Sequence, residues 1–158
     1  MDVKFGMCNE FCEGWSFQRA CRLAAEEGYQ GIEIAPFTIR DSVRDIDAEE
    51  RKQLRATAEK HGLEVVGLHW LLTKPEGLYI NHPDEDVRNE TREYLRAEID
   101  FCGDLGGTRM IVGSPQQRNV VEDDTYEAAW ERTVRVFKDL APHAQSRGVV
   151  LCIEPLAP

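Results

Sequence analysis

Short apolar runs alternate with longer amphipathic segments along the chain. A strand that is buried on both faces is apolar at almost every position, so each short run predicts such a strand. The predicted strands are Val3–Asn9, Gly31–Pro36, Glu64–Leu72, Arg109–Gly113 and Val149–Pro155.

The longer segments place apolar residues three or four positions apart, and this spacing predicts amphipathic helices. Ser16 and Asp47 precede two of these segments and are side chains that cap helix starts. Pro142 lies inside the last segment, where it removes a backbone donor, so we expect a kink or a break into two helices. The predicted helices cover residues 16–28, 47–62, 84–106 and 124–148.

Each predicted helix ends at a glycine that is soon followed by a strand. Gly28, Gly62, Gly106 and Gly148 are separated by 34, 44 and 42 residues. This distance suits one strand–helix unit, and a helical crossover between strands makes neighbouring strands parallel. The repeat therefore predicts an α/β fold with a parallel sheet.

Two parallel folds fit this alternation. A doubly wound sheet usually carries a glycine-rich turn after its first strand, but "NEFCEGWS" contains only one glycine. A (β/α)₈ TIM barrel instead gathers polar residues at the carboxyl ends of its strands. Polar residues stand there in this chain: Asn9, Glu33, His69, Ser114 and Glu154. We therefore predict one domain over 1–158, the N-terminal part of a TIM barrel with five strands and four helices, lacking strands six to eight.

Composition narrows the classes of partner. The 158 residues are 42% hydrophobic and carry a formal net charge of −10, which disfavours nucleic-acid binding. No apolar run approaches the roughly 20 residues that span a bilayer, and the start of the chain does not resemble a secretory signal. Five cysteines, an odd number, indicate reduced thiols in a cytoplasmic protein. Cys8 and Cys12 have no second pair that would complete a zinc motif.

The last predicted strand ends in an acid. Within "GVVLCIEPLAP", Val150, Cys152 and Glu154 share one face because strand side chains alternate. In a barrel, Glu154 would lie at the mouth. Alternatively, it is a solvated glutamate at a strand end.

Two more polar side chains hold comparable positions. His69 in "VVGLHWLL" shares a face with Val65, Gly67 and Leu71, and its imidazole can bind a metal, contact a sugar hydroxyl or transfer protons. A buried histidine paired with a backbone carbonyl is the alternative. Glu33 in "GIEIAPF" can contact a substrate or pair with an arginine inside the barrel.

Several segments resemble one family: "GIEIAPF", "VVGLHWLL", "EGLYINHPD", "DLGGTRMIVGSPQQRN" and "GVVLCIEPL". They are similar to the sugar phosphate isomerase/epimerase family of xylose-isomerase-like TIM barrels, over essentially the whole chain. The resemblance implies an isomerase or epimerase for a sugar or sugar phosphate. It also implies metal-dependent proton transfer next to a carbonyl, through an enediolate.

The resemblance further implies one Mn²⁺ or Mg²⁺ ion, held by a Glu on strand five, an Asp on strand six, a His on strand seven and a Glu on strand eight. Glu154 matches the first ligand, which in the epimerases also exchanges the substrate proton. His69 and Glu33 match positions that line the substrate pocket. Since strands six to eight are not predicted here, we expect this chain alone to be inactive and to bind Mn²⁺ weakly.

Two other functions compete with this one. An endonuclease-IV-like zinc DNA repair enzyme would use His69 and Glu154, but it also expects a histidine where this chain has "VGSPQQ", and the negative charge opposes DNA binding. A non-catalytic half-barrel assembly module is the second alternative. Its first and last strands would be open edges, through which it can form a homo-oligomer.

Overall fold

The computed structural model describes residues 3–155, in which five parallel strands alternate with four α-helices. The strands are β1 (Gly6–Cys8), β2 (Gly31–Ile34), β3 (Glu64–Leu68), β4 (Arg109–Val112) and β5 (Val150–Ile153). The helices are α1 (Phe17–Glu26), α2 (Ala48–Lys60), α3 (Glu85–Asp104) and α4 (Tyr126–Ser146). The strands are shorter than predicted, and the outermost residues of the predicted domain, 1–2 and 156–158, lie outside the described residues.

The strands lie side by side in chain order, β1-β2-β3-β4-β5, and every pair is parallel. A doubly wound sheet would reverse its strand order at a switch point. Right-handed crossovers that always advance in one direction place all helices on one face of the sheet, as in a TIM barrel. The order therefore confirms the predicted barrel-type fold, and it leaves β1 and β5 as the edges of the described sheet.

The hydrophobic core lies between the sheet and the helices. In its larger cluster, Ile34, Leu68 and Met110 from three strands pack with buried residues of α3 and α4. In the smaller cluster, Met7 and Ile32 pack with buried residues of α1 and α2. Burying one such side chain stabilises the fold by about 1.5–3 kcal/mol, so these contacts fix the sheet that carries the strand-end residues.

The helix starts are capped as predicted. Ser16 Oγ accepts a hydrogen bond from the Arg19 N–H, and Asp47 Oδ1 accepts from the N–H groups of Glu49 and Glu50. Of the two outcomes predicted at Pro142, a kink or a break, the break into two helices is wrong, because α4 runs unbroken from Tyr126 to Ser146. Pro142 is exposed near the end of the helix, where water can satisfy a carbonyl that has lost its partner. No helix within residues 3–155 combines the length and apolar character needed to cross a membrane.

One extra residue interrupts the regular pairing of β3. Ile32 pairs with Val65, but Glu33 pairs with Gly67, so the register shifts at Val66. Val65 therefore packs against the core beneath the sheet, as Leu68 does three residues later. The prediction that Val65 shares a face with His69 is wrong, because a bulge breaks the two-residue alternation.

Candidate active site

The three predicted site residues meet at the carboxyl ends of their strands. Glu33 lies on β2, His69 follows β3 directly, and Glu154 follows β5 directly. His69 Nδ1 lies 3.2 Å from Glu33 Oε2, and His69 Nε2 lies 3.6 Å from Glu154 Oε2. The imidazole thus bridges two carboxylates that are far apart in sequence.

These side chains are partly open to solvent, with 24% of His69, 25% of Glu33 and 37% of Glu154 exposed. The hydrogen bond to Glu33 raises the pKa of His69, desolvation opposes this effect, and Glu154 adds to it. Glu33 pairs with a histidine rather than with the arginine considered from the sequence. The two acids favour an imidazolium, which is hydrogen-bonded to Glu33 through Nδ1 and lies near the negative charge of Glu154 through Nε2.

Backbone hydrogen bonds extend the strand pairing to the site residues. The His69 N–H donates to Ile34 O at 3.0 Å, and the Glu154 N–H donates to Val112 O at 3.2 Å. The Asn9 N–H donates to Glu33 O at 3.1 Å. Because the backbone of each site residue is hydrogen-bonded to a neighbouring segment, the position from which its side chain projects is fixed.

Asn9 is a structural residue among the polar strand ends. Its side chain is buried; Oδ1 accepts from the Ala35 N–H at 2.7 Å, and Nδ2 donates to Thr38 Oγ1 at 2.8 Å. These bonds tie the end of β1 to the turn that follows β2. Asn9 therefore fixes the backbone next to Glu33 and is not itself a site residue.

The loop after β4 supports Glu154. The Arg118 guanidinium donates to the backbone oxygen of Glu154 at 2.9 Å. Gly113 leaves room for the carboxylate, since a Cβ at this position would lie 1.9 Å from Glu154 Oε2. Both residues thus help to set the position of the acid. The sequence placed Arg118 in a polar loop at this end of the sheet but did not single out Gly113.

Cys8 also belongs to the site, although the sequence pattern pointed to Asn9 instead. Cys8 pairs with Glu33 in the sheet register. One ligand atom from each of Cys8, Glu33 and His69 lies within 4.8 Å of the other two. Burial is the main cause that raises the pKa of the Cys8 thiol well above its usual range, so the thiol is protonated when nothing is bound to it.

The loop that follows His69 has an unusual backbone. Trp70 and Leu72 adopt φ values of 57° and 63°, in the left-handed region that non-glycine residues rarely occupy. Ser114 Oγ donates to the backbone oxygen of Leu71, and the Leu72 N–H donates to Glu98 Oε1 at 3.5 Å. Contacts from the loop after β4 and from α3 therefore hold this loop in place.

Comparison with known proteins identifies a family match over most of the chain. Residues 21–158 match the family model described as xylose isomerase-like TIM barrel. The chain is 24% identical over 158 residues to fructoselysine 3-epimerase from Shigella flexneri, a match that covers 99% of this chain and 55% of that protein. It is 28% identical over 145 residues to a probable ketose 3-epimerase from Synechocystis sp., covering 91% of this chain and 46% of the relative.

Solved structures show the same architecture. D-psicose 3-epimerase, determined in the presence of D-fructose, superposes with a TM-score of 0.80 at 18% identity, covering 98% of this chain and 53% of that one. The apo form of 3-keto-D-glucoside 4-epimerase from E. coli gives a TM-score of 0.74 at 16% identity, covering 98% and 57%. At these identities the likeness shows the fold. The chain spans about half the length of the curated relatives it matches.

Proposed function

The chain belongs to the xylose isomerase-like TIM barrel family, and from that premise we propose that it carries part of the active site of a sugar or sugar phosphate isomerase/epimerase. The main support is that His69 contacts both Glu33 and Glu154 at the carboxyl ends of parallel strands that lie side by side in chain order. The epimerase names of the relatives favour a ketose substrate.

We assign Glu154 as a ligand for Mn²⁺ or Mg²⁺. Its carboxylate fits such an ion, because it offers hard oxygen donors and is partly exposed at the mouth. A divalent ion held there supplies Lewis-acid stabilisation of the negative charge that develops on the substrate oxygens.

The protein side chains supply the proton chemistry in this proposal. Glu154 takes the proton from the carbon next to the substrate carbonyl, which leads to an enediolate. His69 donates a hydrogen bond to a substrate oxygen, and Glu33 keeps the imidazole oriented and protonated for that task. The raised pKa of His69 and its contact with Glu33 support these roles.

Within the 158 residues, Glu154 alone matches the ligand set that the family resemblance implies. One carboxylate holds a hard dication poorly, so we propose that these residues alone bind Mn²⁺ weakly and do not turn over a ketose. We also place the protein in the cytoplasm, since all five cysteines are free thiols.

Isothermal titration of Mn²⁺ tests the assignment of Glu154. We expect a dissociation constant of about 10⁻³ M or weaker for the wild type. Glu154→Gln should abolish the remaining binding, and Glu131→Gln, a change at an exposed acid on α4, should leave it unchanged.

Two results would overturn parts of the proposal. Mn²⁺ binding that is unchanged in Glu154→Gln would remove Glu154 from the ligand set. A tight stoichiometric site, accompanied by deuterium incorporation into a ketose in D₂O, would show that the five-strand unit is active alone.

A further inference from the structure

We propose that Cys8, Glu33 and His69 form a separate cation site that selects Zn²⁺ and similar thiol-binding ions over Mn²⁺ and Mg²⁺. This inference goes beyond the epimerase proposal, because it concerns a different ion and a ligand set in which Glu154 is not needed. It rests on the mutual approach of a thiol, a carboxylate and an imidazole, whose ligand atoms all lie within 4.8 Å of one another.

The spacing of the three groups suits zinc. In a tetrahedral Zn²⁺ site with bonds of about 2.0–2.3 Å, neighbouring ligand atoms lie about 3.3–3.6 Å apart. Glu33 Oε2 and His69 Nδ1 are already 3.2 Å apart. The Cys8 sulfur lies within 4.8 Å of both groups, so a side-chain rotation can supply the remaining approach.

The backbone holds the three residues before any ion arrives. They stand at the ends of the adjacent strands β1, β2 and β3, with Cys8 directly opposite Glu33 in the register. The buried side chain of Asn9 fastens the end of β1 to the turn after β2. A site carried by paired strands keeps its ligands in place better than a site on loops.

Charge and ligand type favour a thiol-binding dication. Binding displaces the thiol proton of Cys8 and a proton of the His69 imidazolium to solvent, so the thiolate and the carboxylate together balance the two charges of the ion, with the imidazole neutral. A thiolate ligand suits Zn²⁺, whereas Mn²⁺ and Mg²⁺ prefer oxygen. Glu154, 3.6 Å from the far nitrogen of His69, adds negative potential nearby.

The site differs from a zinc motif built on Cys8 and Cys12, which the sequence does not complete. Cys12 is buried and does not belong to the group, whereas Glu33 and His69 come from other strands. Three protein ligands leave a fourth position for water or a small anion. Since two of the ligands line the proposed sugar pocket, an ion here and a sugar would exclude each other.

Cobalt titration provides the direct test. CoCl₂ is added to the full chain with a thiol-free reductant, and the near-ultraviolet thiolate-to-cobalt band is recorded. We expect one Co²⁺ per chain, displaced by one Zn²⁺. Cys8→Ser should abolish the band, and Glu33→Gln and His69→Gln should weaken binding at least about tenfold.

Matched controls separate this site from other thiols and from the epimerase proposal. Cys152 is half-buried like Cys8 but lies outside the group, so Cys152→Ser should keep the band. Glu154→Gln should also keep it, whatever that change does to Mn²⁺ binding. A wild type without the thiolate band, or a band that survives Cys8→Ser, would overturn the inference.

Alkylation of the wild type tests the same site without any variant. Zn²⁺ should slow the reaction of Cys8 with iodoacetamide at least about tenfold, because a bound thiolate is less reactive. The Cys152 rate, followed by mass spectrometry in the same sample, should stay constant. Equal Cys8 rates with and without Zn²⁺ would contradict the proposal.

Discussion

Glu98 places a carboxyl group inside the hydrophobic layer between α3 and the loop after β3. Its side chain is fully buried; Oε1 accepts the long hydrogen bond from Leu72, and Oε2 has no partner among the described residues. Burial raises the pKa of Glu98 to about 8. The carboxyl group is therefore neutral in the folded protein at neutral pH, which avoids an unpaired buried charge.

Glu98 should make the protein less stable as the pH rises. Its folded-state pKa of about 8 exceeds the ordinary value of 4.5, so the stabilising contribution of the bound proton is complete below pH 4.5 and is lost as the pH rises through 8. Its titratable neighbours, Tyr94 and Cys102, have raised pKa values and stay neutral across this range. We expect urea midpoints to fall between pH 5 and pH 9.

In wild type, the free energy of unfolding should fall by an amount on the order of a few kcal/mol between pH 5 and pH 9 because of Glu98. In the variant Glu98→Gln this loss should be absent. Glu93→Gln, at an exposed acid on the same helix, serves as the control and should keep the wild-type slope. An identical pH dependence in wild type and Glu98→Gln would contradict the assignment of the buried proton.

Gly67 lies where β3 and the backbone of Arg109 on β4 approach each other closely. A Cβ at this position would lie 1.8 Å from the Arg109 carbonyl oxygen, a backbone atom that has no room to move. Gly67→Ala should therefore lower the free energy of unfolding by about 2–4 kcal/mol. Gly6→Ala is the matched change, since its Cβ would meet Val66 at an ordinary 3.5 Å, and its effect should stay below about 1 kcal/mol.

The sequence pointed to Glu33, His69 and Glu154 because each is a polar residue at or near the end of an apolar run, and parallel strands bring their carboxyl ends together. The sequence placed Cys8 only in a possible pair with Cys12, because the strand was predicted to continue to Asn9, which left Asn9 as its polar end. Gly113 was missed because its importance depends on a neighbour in another strand, which no local pattern contains.

At the scale of elements, Pro142 shows that tertiary packing can maintain a helix across a residue of low helix propensity. Helix α4 continues through it, held by buried residues such as Leu140 and Ala144. Pro142→Ala restores a backbone donor and removes the ring from the preceding turn, so the free energy of unfolding should rise by about 1–3 kcal/mol. Urea titration at constant m-value measures this change.

Pro115 provides the contrasting control, because it occupies the first turn of the short 3-10 helix Pro115–Gln117, where proline is favourable. Pro115→Ala should leave stability unchanged or lower it by up to about 1 kcal/mol. An equal gain in both variants would show that the position of Pro142 inside a helix is not the cause.

The bulge in β3 explains why helix starts were easier to predict than strand faces. The helix caps at Ser16 and Asp47 are local, and both appeared in the sequence. The register shift at Val66 instead depends on pairing between β2 and β3. A rule of strict alternation assumes regular pairing, so it assigned Val65 to the wrong face.

At the scale of the whole molecule, the β5 edge is apolar and uncovered in the described chain. Val150 and Ile153 on β5 are 59% and 57% exposed, and Trp130 on α4, which lines a cavity together with Ile153, is 58% exposed. Open strand edges with apolar neighbours promote pairing between chains. We therefore expect this chain to self-associate with increasing concentration.

Val150→Lys combined with Ile153→Lys should shift sedimentation towards the monomer, since paired lysines at an edge repel a second chain. Tyr29→Lys, at an exposed aromatic residue away from this edge, should leave the association unchanged. A wild type that stays monomeric at high concentration would contradict the prediction and weaken the assembly-module alternative.

The sequential strand order also governs how the chain can assemble during synthesis. Paired residues in neighbouring strands are close along the chain, from Gly6 with Gly31 to Arg109 with Val150. Among the described residues, each strand pairs with the strand before it in sequence, so the entropic cost of closing each connecting loop stays modest. Each strand–helix unit can therefore pack on the unit synthesised just before it, so the sheet can form one strand at a time during translation.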